Sequence, residues 1–189
     1  MSTRCAPDVI HTARLRLRRP RTSDAQAIFD RYASDPAVTH FMSFRRHTSI
    51  ADSTMFIDFS KVEWASNGCG AYLVFPRESD TLLGATGMSL QGDDAETGYV
   101  FARDAWGFGY ATESLQAMMD VGRAMGLHAL HAHCHPDHHA SMHVLEKCGF
   151  TLDYRARASH VFPNQSQVKQ DVLSYLFTFE PQTSSLPPG

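Results

Sequence analysis

Several things are scarce or missing in this sequence, and each absence excludes something. No apolar run approaches the ~20 residues that a membrane-spanning helix needs, and the opening MSTRCAPDVI has no apolar stretch of a secretory leader. A cytoplasmic protein is expected. The 189 residues hold only four cysteines, Cys5, Cys69, Cys134 and Cys148, with no Cys-x-x-Cys pair, which excludes a disulfide framework and leaves reduced thiols. Neither sign of charge dominates: 17 Lys and Arg against 20 Asp and Glu give a net charge of -3, so no global field attracts nucleic acid or an anionic membrane. Any anionic ligand must be held locally. What remains, 43% apolar and 20% charged residues, is the balance of a globular protein. With no repeat and no linker visible, a single domain is expected over residues 1–180, followed by a loose tail, 181–189.

Residues 13–19, ARLRLRR, alternate Leu15 and Leu17 with Arg14, Arg16 and Arg18, the period of a half-buried strand with its arginines toward solvent. SDAQAIFDRYASDP, residues 23–36, sets Ala27, Ile28 and Tyr32 near helical spacing and stops before Pro36. A second helix is predicted over 49–66, where Ile50, Met55, Phe56, Phe59 and Val62 recur at helical intervals and Asn67-Gly68 ends it. Strands at 71–76, 82–91 and 96–102, parted by RESD and GDD, form an antiparallel meander. Residues 110–126 are an amphipathic helix with Leu115, Met118, Met119 and Val121 inward, and 127–134 are a strand. Strand, helix and strand in so short a span make a right-handed crossover, so strands 96–102 and 128–134 are parallel and the sheet is mixed. A helix from Asp137 to Cys148, capped by Asp137 and closed by Gly149, and a strand at 172–179 complete an α+β fold.

The densest composition lies in HALHAHCHPDHHASMHVLEKCGF, residues 128–150, with seven histidines and two cysteines. On a strand His131, His133 and His135 share one face, a conceivable ligand set. No carboxylate or cysteine nearby has zinc-finger or His-Glu-x-x-His spacing, so the run is assigned to strand, turn and helix, and no metal is expected. DAWGFGYATES, residues 104–114, is the more informative piece. Gly107 and Gly109 between a strand and a helix let backbone amides approach an anion, and the helix N-terminus favours phosphate. The Gly-Lys-Ser/Thr of a Walker loop is absent, and Thr112 stands where a dinucleotide fingerprint needs its third glycine.

ETGYVFARDAWGFGYATESL (96–115) followed by HPDHHASMHVLEKCGF (135–150), and preceded by TARLRLR and SDPAVTHFM, resembles the GNAT N-acetyltransferases, specifically the ribosomal-protein N-terminal, or Rim-type, branch. The resemblance implies a GNAT-like mixed, mostly antiparallel central sheet with a parallel splayed pair of strands and flanking helices. It implies acetyl-CoA as cosubstrate, wedged where those strands part, with its pyrophosphate on the loop Trp106, Gly107, Phe108, Gly109, Tyr110 and Ala111, continued by Thr112. A main-chain amide among Tyr99, Val100 and Phe101 would meet the developing oxyanion, and His138 and Ser141 would contact the cofactor arm. Three positions depart from the family pattern. Asp104 stands where an Arg or Gln is usual, His138 where an Asn is usual, and Leu145 where many members carry the Tyr that protonates the thiolate. Ser141 is then the nearest hydroxyl for that role.

The expected reaction is direct transfer of acetyl to an amine, most simply the α-amine of a protein or peptide N-terminus, whose reference pKa of ~8 asks less of a base than lysine's ~10.4. Glu96 is the candidate base, acting through water; it reads equally as an exposed strand carboxylate, and Ser141 as a helix-start serine bonded to its own backbone. Two alternatives stay open: a small-amine acetyltransferase for polyamines or aminoglycosides, which an acidic pocket would favour, and a non-catalytic acyl-CoA-binding regulatory module. The amine acceptor, met by residues 37–66 and a loop over 155–170 that carry no readable motif, is the expected partner, without nucleic acid or membrane, in a monomer or homodimer.

Overall fold

The computed structural model describes residues 5–180, so the tail expected over 181–189 lies outside the described residues. Eight strands form one sheet: β1 Val9–His11, β2 Leu15–Arg18, β3 Ala71–Pro76, β4 Gly84–Gln91, β5 Asp94–Phe101, β6 Ala129–Cys134, β7 Thr151–Val161 and β8 Lys169–Thr178, in the order β1-β2-β3-β4-β5-β6-β8-β7. The helices are α1 Ala25–Ile28, extended by one wide turn over Phe29–Ala33, then α2 Pro36–Thr39, α3 Ile50–Asn67, α4 Tyr110–Ala124 and α5 His139–Lys147. As the crossover predicts, β5 and β6 are parallel and every other neighbouring pair is antiparallel.

The parallel pair positions the site. Its register covers only Ala95↔Leu130 and Glu96↔His131, after which the strands part. On its other edge β5 stays bonded to β4 from Gln91↔Asp94 to Gly84↔Phe101, while β6 stays bonded to β8 from Ala129↔Thr178 to Cys134↔Leu173. Each strand is thus tied to its outer neighbour, and the gap between them cannot close. Beneath the sheet, α4 buries Leu115, Met118 and Val121, with Met119 half-buried. Gly68, at φ +69°, ends α3 in the left-handed conformation. After α5, the amide of Gly149 donates to the Glu146 carbonyl and that of Phe150 to the Leu145 carbonyl, a Schellman closure.

Four features depart from the sequence reading or add to it. First, β1 and β7 carry no sequence signal. β7 is an edge strand, exposed along most of its length, so nothing forces its side chains to alternate; the loop expected over 155–170 is instead the second half of β7, a turn and the start of β8. Second, the apolar periodicity of α3 does not face the core. Ser53, Ile57, Ser60 and Trp64 are buried, while Ile50, Met55, Phe59 and Val62 are 43–69% exposed. The Ser49/Asp52 capping box, together with the Trp64 indole N–H donating to the Ala71 carbonyl at 3.0 Å, sets this phase. Third, the β2 arginines are not simply solvated: Arg18, 12% exposed, forks onto Asp24 at 2.8 Å and lies over Phe75, and Arg14 pairs with Glu113. Fourth, Asp137 does not cap α5. His138 occupies the cap position without a side-chain hydrogen bond, and the Asp137 amide instead donates to His135 Nδ1 at 3.0 Å.

Candidate active site

The glycine loop joins β5 to α4. Gly107 and Gly109 hold φ of +82° and +77°, which places both in the region that penalises any Cβ. No side chain caps α4, so the amides of Tyr110, Ala111 and Thr112 at its first turn have no partner within the helix and could meet an anion. Two side chains pin the loop from behind. The Trp106 indole donates to the Phe101 carbonyl at 2.8 Å, and Arg14 Nη1 donates to the Phe108 carbonyl at 2.8 Å while its guanidinium lies 5.0 Å from the Tyr110 ring centre. Phe108 stacks on Tyr110 and remains 59% exposed. Glu113, one turn into α4, accepts from the Thr12 hydroxyl at 2.6 Å, the Arg14 amide at 2.8 Å and Arg14 Nε at 2.6 Å, which fastens the loop and helix to the start of β2. Asp104 turns away from the loop and takes a two-pronged contact from Arg31. A cavity of about 960 Å³ lies beside this loop, between Arg14, Gly109, Thr112 and Lys147.

A second cavity, about 940 Å³, runs from the gap between β5 and β6 out to α3. Tyr99, Val100, His138, Ser141 and Leu145 line its inner end. Ser141 is 8% exposed, and its hydroxyl lies 2.9 Å from the Tyr99 hydroxyl, which also reaches the Ser141 carbonyl at 3.1 Å. Its partner is therefore a tyrosine 42 residues away and not its own helix backbone. Burial raises the Tyr99 phenol well above its ordinary value, so it stays protonated and able to donate. His138 stacks on Phe41 at 4.7 Å, and burial, helped by neighbouring histidines, pushes its pKa down to about 4. It is a neutral, flat wall at physiological pH. Phe101 is buried, with its carbonyl taken by Trp106.

Glu96 faces the same cavity from β5, opposite His133 on β6, with His133 Nδ1 3.2 Å from its carboxylate and Gln91 Nε2 also at 3.2 Å. The hydrogen bond from His133 holds the Glu96 carboxyl below the usual range, and the same bond raises the His133 imidazole. The other two histidines of the strand do not join them. His131 contacts Asp94 at 3.3 Å, and His135, beyond the end of β6 and 6% exposed, is packed against Phe41 and Phe162. Its Nδ1 accepts from the Asp137 amide, so Nε2 carries the proton and donates to Gln170 Oε1 at 3.0 Å. Among the described residues no group of three or more His, Cys, Asp or Glu side chains is arranged to hold a metal ion. Cys69 and Cys134 are buried thiols whose pKa burial pushes up to about 11.

The outer end of the cavity is built from the segments expected on the substrate side, 37–66 and 155–170, but no motif marks its residues. Its walls come from the segment after α2, from α3 and from the β7–β8 turn, held together by Asn164. The Asn164 amide donates to the Thr39 carbonyl at 2.7 Å and the Phe44 carbonyl at 2.8 Å, and its oxygen accepts from the Arg46 amide at 2.8 Å. No local pattern marks an asparagine whose partners lie about 120 residues away.

Against known proteins, the acetyltransferase (GNAT) domain family matches residues 14–151. A Bacillus subtilis protein named as an uncharacterized N-acetyltransferase, YnaD, is 31% identical over 74% of this chain and 81% of its own length. Among solved structures, RimL, a ribosomal-protein α-N-acetyltransferase in complex with coenzyme A, superposes with a TM-score of 0.80 at 20% identity, covering 90% of this chain and 97% of that one. The microcin self-immunity acetyltransferase MccE, in complex with acetyl-CoA and AMP, gives 0.79 at 17% identity, over 89% and 94% of the two chains. The parted β5–β6 pair and the positive-φ glycine loop thus sit in a chain that belongs to the GNAT family, an acyl-CoA-dependent N-acetyltransferase with acetyl-CoA as its cosubstrate.

Proposed function

We propose that the chain transfers acetyl from acetyl-CoA directly to the α-amine of a protein or peptide N-terminus. The observation that carries this reading is the continuity of one cavity from the β5–β6 gap, past the Glu96–His133 pair, to an outer end at α3. The glycine loop takes the pyrophosphate, and the neighbouring cavity beside Arg14 and Lys147 takes the nucleotide end. An amine attacks only when neutral. Glu96 alone is a weak base because His133 stabilises its charged form. The pair is better suited: the imidazole, raised by Glu96, receives the ammonium proton through water, and the carboxylate holds the resulting imidazolium. The amine nitrogen then adds to the thioester carbonyl, whose oxygen faces a main-chain amide in the segment Tyr99 to Phe101. As the C–S bond breaks, the nitrogen's second proton passes to the departing sulfur, which leaves as the thiol, and the Ser141 hydroxyl, held by Tyr99, hydrogen-bonds the sulfur as its charge develops.

Release of free thiol, measured with peptides bearing free or blocked N-termini and with lysine side chains, tests the assignment. Free N-termini should be acetylated, and blocking them should abolish turnover. Glu96→Gln should lower the plateau of kcat/KM, because the imidazole left alone is a weaker base, and should move the acid limb of the profile to lower pH, because His133 loses the group that raises it. Turnover of N-blocked peptides through lysine would refute the acceptor, and an unshifted acid limb would refute the pair.

A further inference from the structure

The outer half of the cavity is apolar. Phe41, Phe44, Met55, Phe56, Phe59 and Phe162 converge on it, and Met55 and Phe59 are the exposed residues of α3 whose periodicity points away from the core. The phase of that helix thus leaves large apolar side chains in contact with water, at a cost that an apolar occupant would remove. Three carboxylates reach the cavity, and each already has donors. Asp52 accepts from the Thr48 and Ser49 amides, Glu63 from Ser89 and Asn67, and Glu96 from His133 and Gln91. At the mouth stand Arg45 and Arg46, neither within ion-pair distance of a carboxylate among the described residues.

We infer that the acceptor is a single amine borne on an apolar or aromatic body, which for a peptide means a large apolar first residue, with no second cation near the mouth. This rests on the N-terminal reading above and narrows it. A polyamine or an aminoglycoside would have to bring several ammonium groups past two unpaired arginines and strip them of water, and the three carboxylates they would meet, though charged, already have part of their acceptor capacity taken by the protein's own donors. An apolar side chain next to the reacting amine instead fills the space between Phe41, Phe59 and Phe162, and the cavity volume of about 940 Å³ is that of a small-molecule or side-chain site.

The test is a set of peptides identical after the first residue, beginning with Phe, Leu, Met, Ser, Asp or Lys, assayed beside phenethylamine and spermidine by thiol release. The expected result is a preference of roughly 10-fold or more in kcat/KM for Phe, Leu and Met over Ser, Asp and Lys, the scale on which burying one apolar side chain discriminates. Phe59→Ser should erase most of that preference. Val62→Ser, equally exposed on α3 but outside the cavity wall, should preserve it. Equal turnover of all first residues, or a preference for Ser or Lys, would overturn the inference and leave the N-terminal reading intact. Phenethylamine turned over while every peptide is inert would overturn the N-terminal reading and sustain the apolar acceptor. Spermidine as the best acceptor would overturn both.

Discussion

Replacing Gly109 by alanine should weaken acetyl-CoA binding without unfolding the protein, and the size of the loss follows from the loop's geometry. Gly109 sits at φ +77° and ψ +12°, immediately before α4. A Cβ built there meets only Arg14 Nη2, at 3.5 Å, an ordinary contact, so a clash contributes nothing. The cost is that of an L-residue in the left-handed region, roughly 1–2 kcal/mol. Without ligand the loop can relax to negative φ and shed that strain; binding a pyrophosphate requires the amides of residues 110–112 to converge again and restores it. The strain therefore appears as lost affinity, about 5- to 30-fold in Kd. The order of loss should be Asn smallest, Ala intermediate and Val largest, since Asn tolerates this region and a β-branched residue does not. Gly92 provides the control. It holds φ +69° in the two-residue turn between β4 and β5, with nothing within 4 Å of a built Cβ. Gly92→Ala carries similar strain far from the ligand and should lower stability while leaving acetyl-CoA affinity unchanged. Calorimetric titration of acetyl-CoA into the four Gly109 forms and Gly92→Ala reads all of this. Equal Kd values for wild type and Gly109→Val, or an equal loss in Gly92→Ala, would refute the loop as the phosphate cradle.

Glu113→Gln should lower stability at neutral pH by about 2 kcal/mol, or ~4–8 °C in Tm, most of it from the Thr12 and Arg14 amide bonds because the Arg14 guanidinium is half exposed. Burial favours a raised Glu113 pKa, but the Thr12 hydroxyl, the Arg14 amide and the Arg14 side chain together outweigh it and hold the carboxyl below its ordinary value. Its contribution is thus fully present above the ordinary carboxyl range and lost as pH falls through the depressed value. Thermal melts from pH 7 downward should show a shallower acid limb in Glu113→Gln; parallel curves would contradict this. Tyr99→Phe should reduce kcat several-fold with little change in acetyl-CoA Kd, and adding it to Ser141→Ala should cost little more than Ser141→Ala alone, because both act through one hydroxyl pair. Additive losses in steady-state kinetics would separate the two residues.

Legibility followed the range of the interaction. The meander, the crossover, α4 and the glycine loop were readable because period, turn chemistry and positive-φ glycines act within a few residues. So was the parallel pair, since chain reversal by a short helix allows one handed solution. The α3 face was not legible because a phenylalanine that lines a cavity and one that lies in the core have the same period. The histidine run likewise looked like one cluster, and β6 ends before His135, so the side chains separate to Asp94, Glu96 and Gln170.

By itself, then, the sequence determined the order of elements, the mixed sheet and the glycine loop before α4, each set by local backbone preference and apolar spacing. Only the tertiary structure decided which side chains meet and which residues line the cavity. Tyr99 meets Ser141, Glu96 meets His133, and Asn164 closes the wall across intervals of 37 to 125 residues. Such contacts depend on how far two strands part and on which way a helix is rotated, quantities fixed by the packing of the whole sheet and recorded in no single stretch of chain.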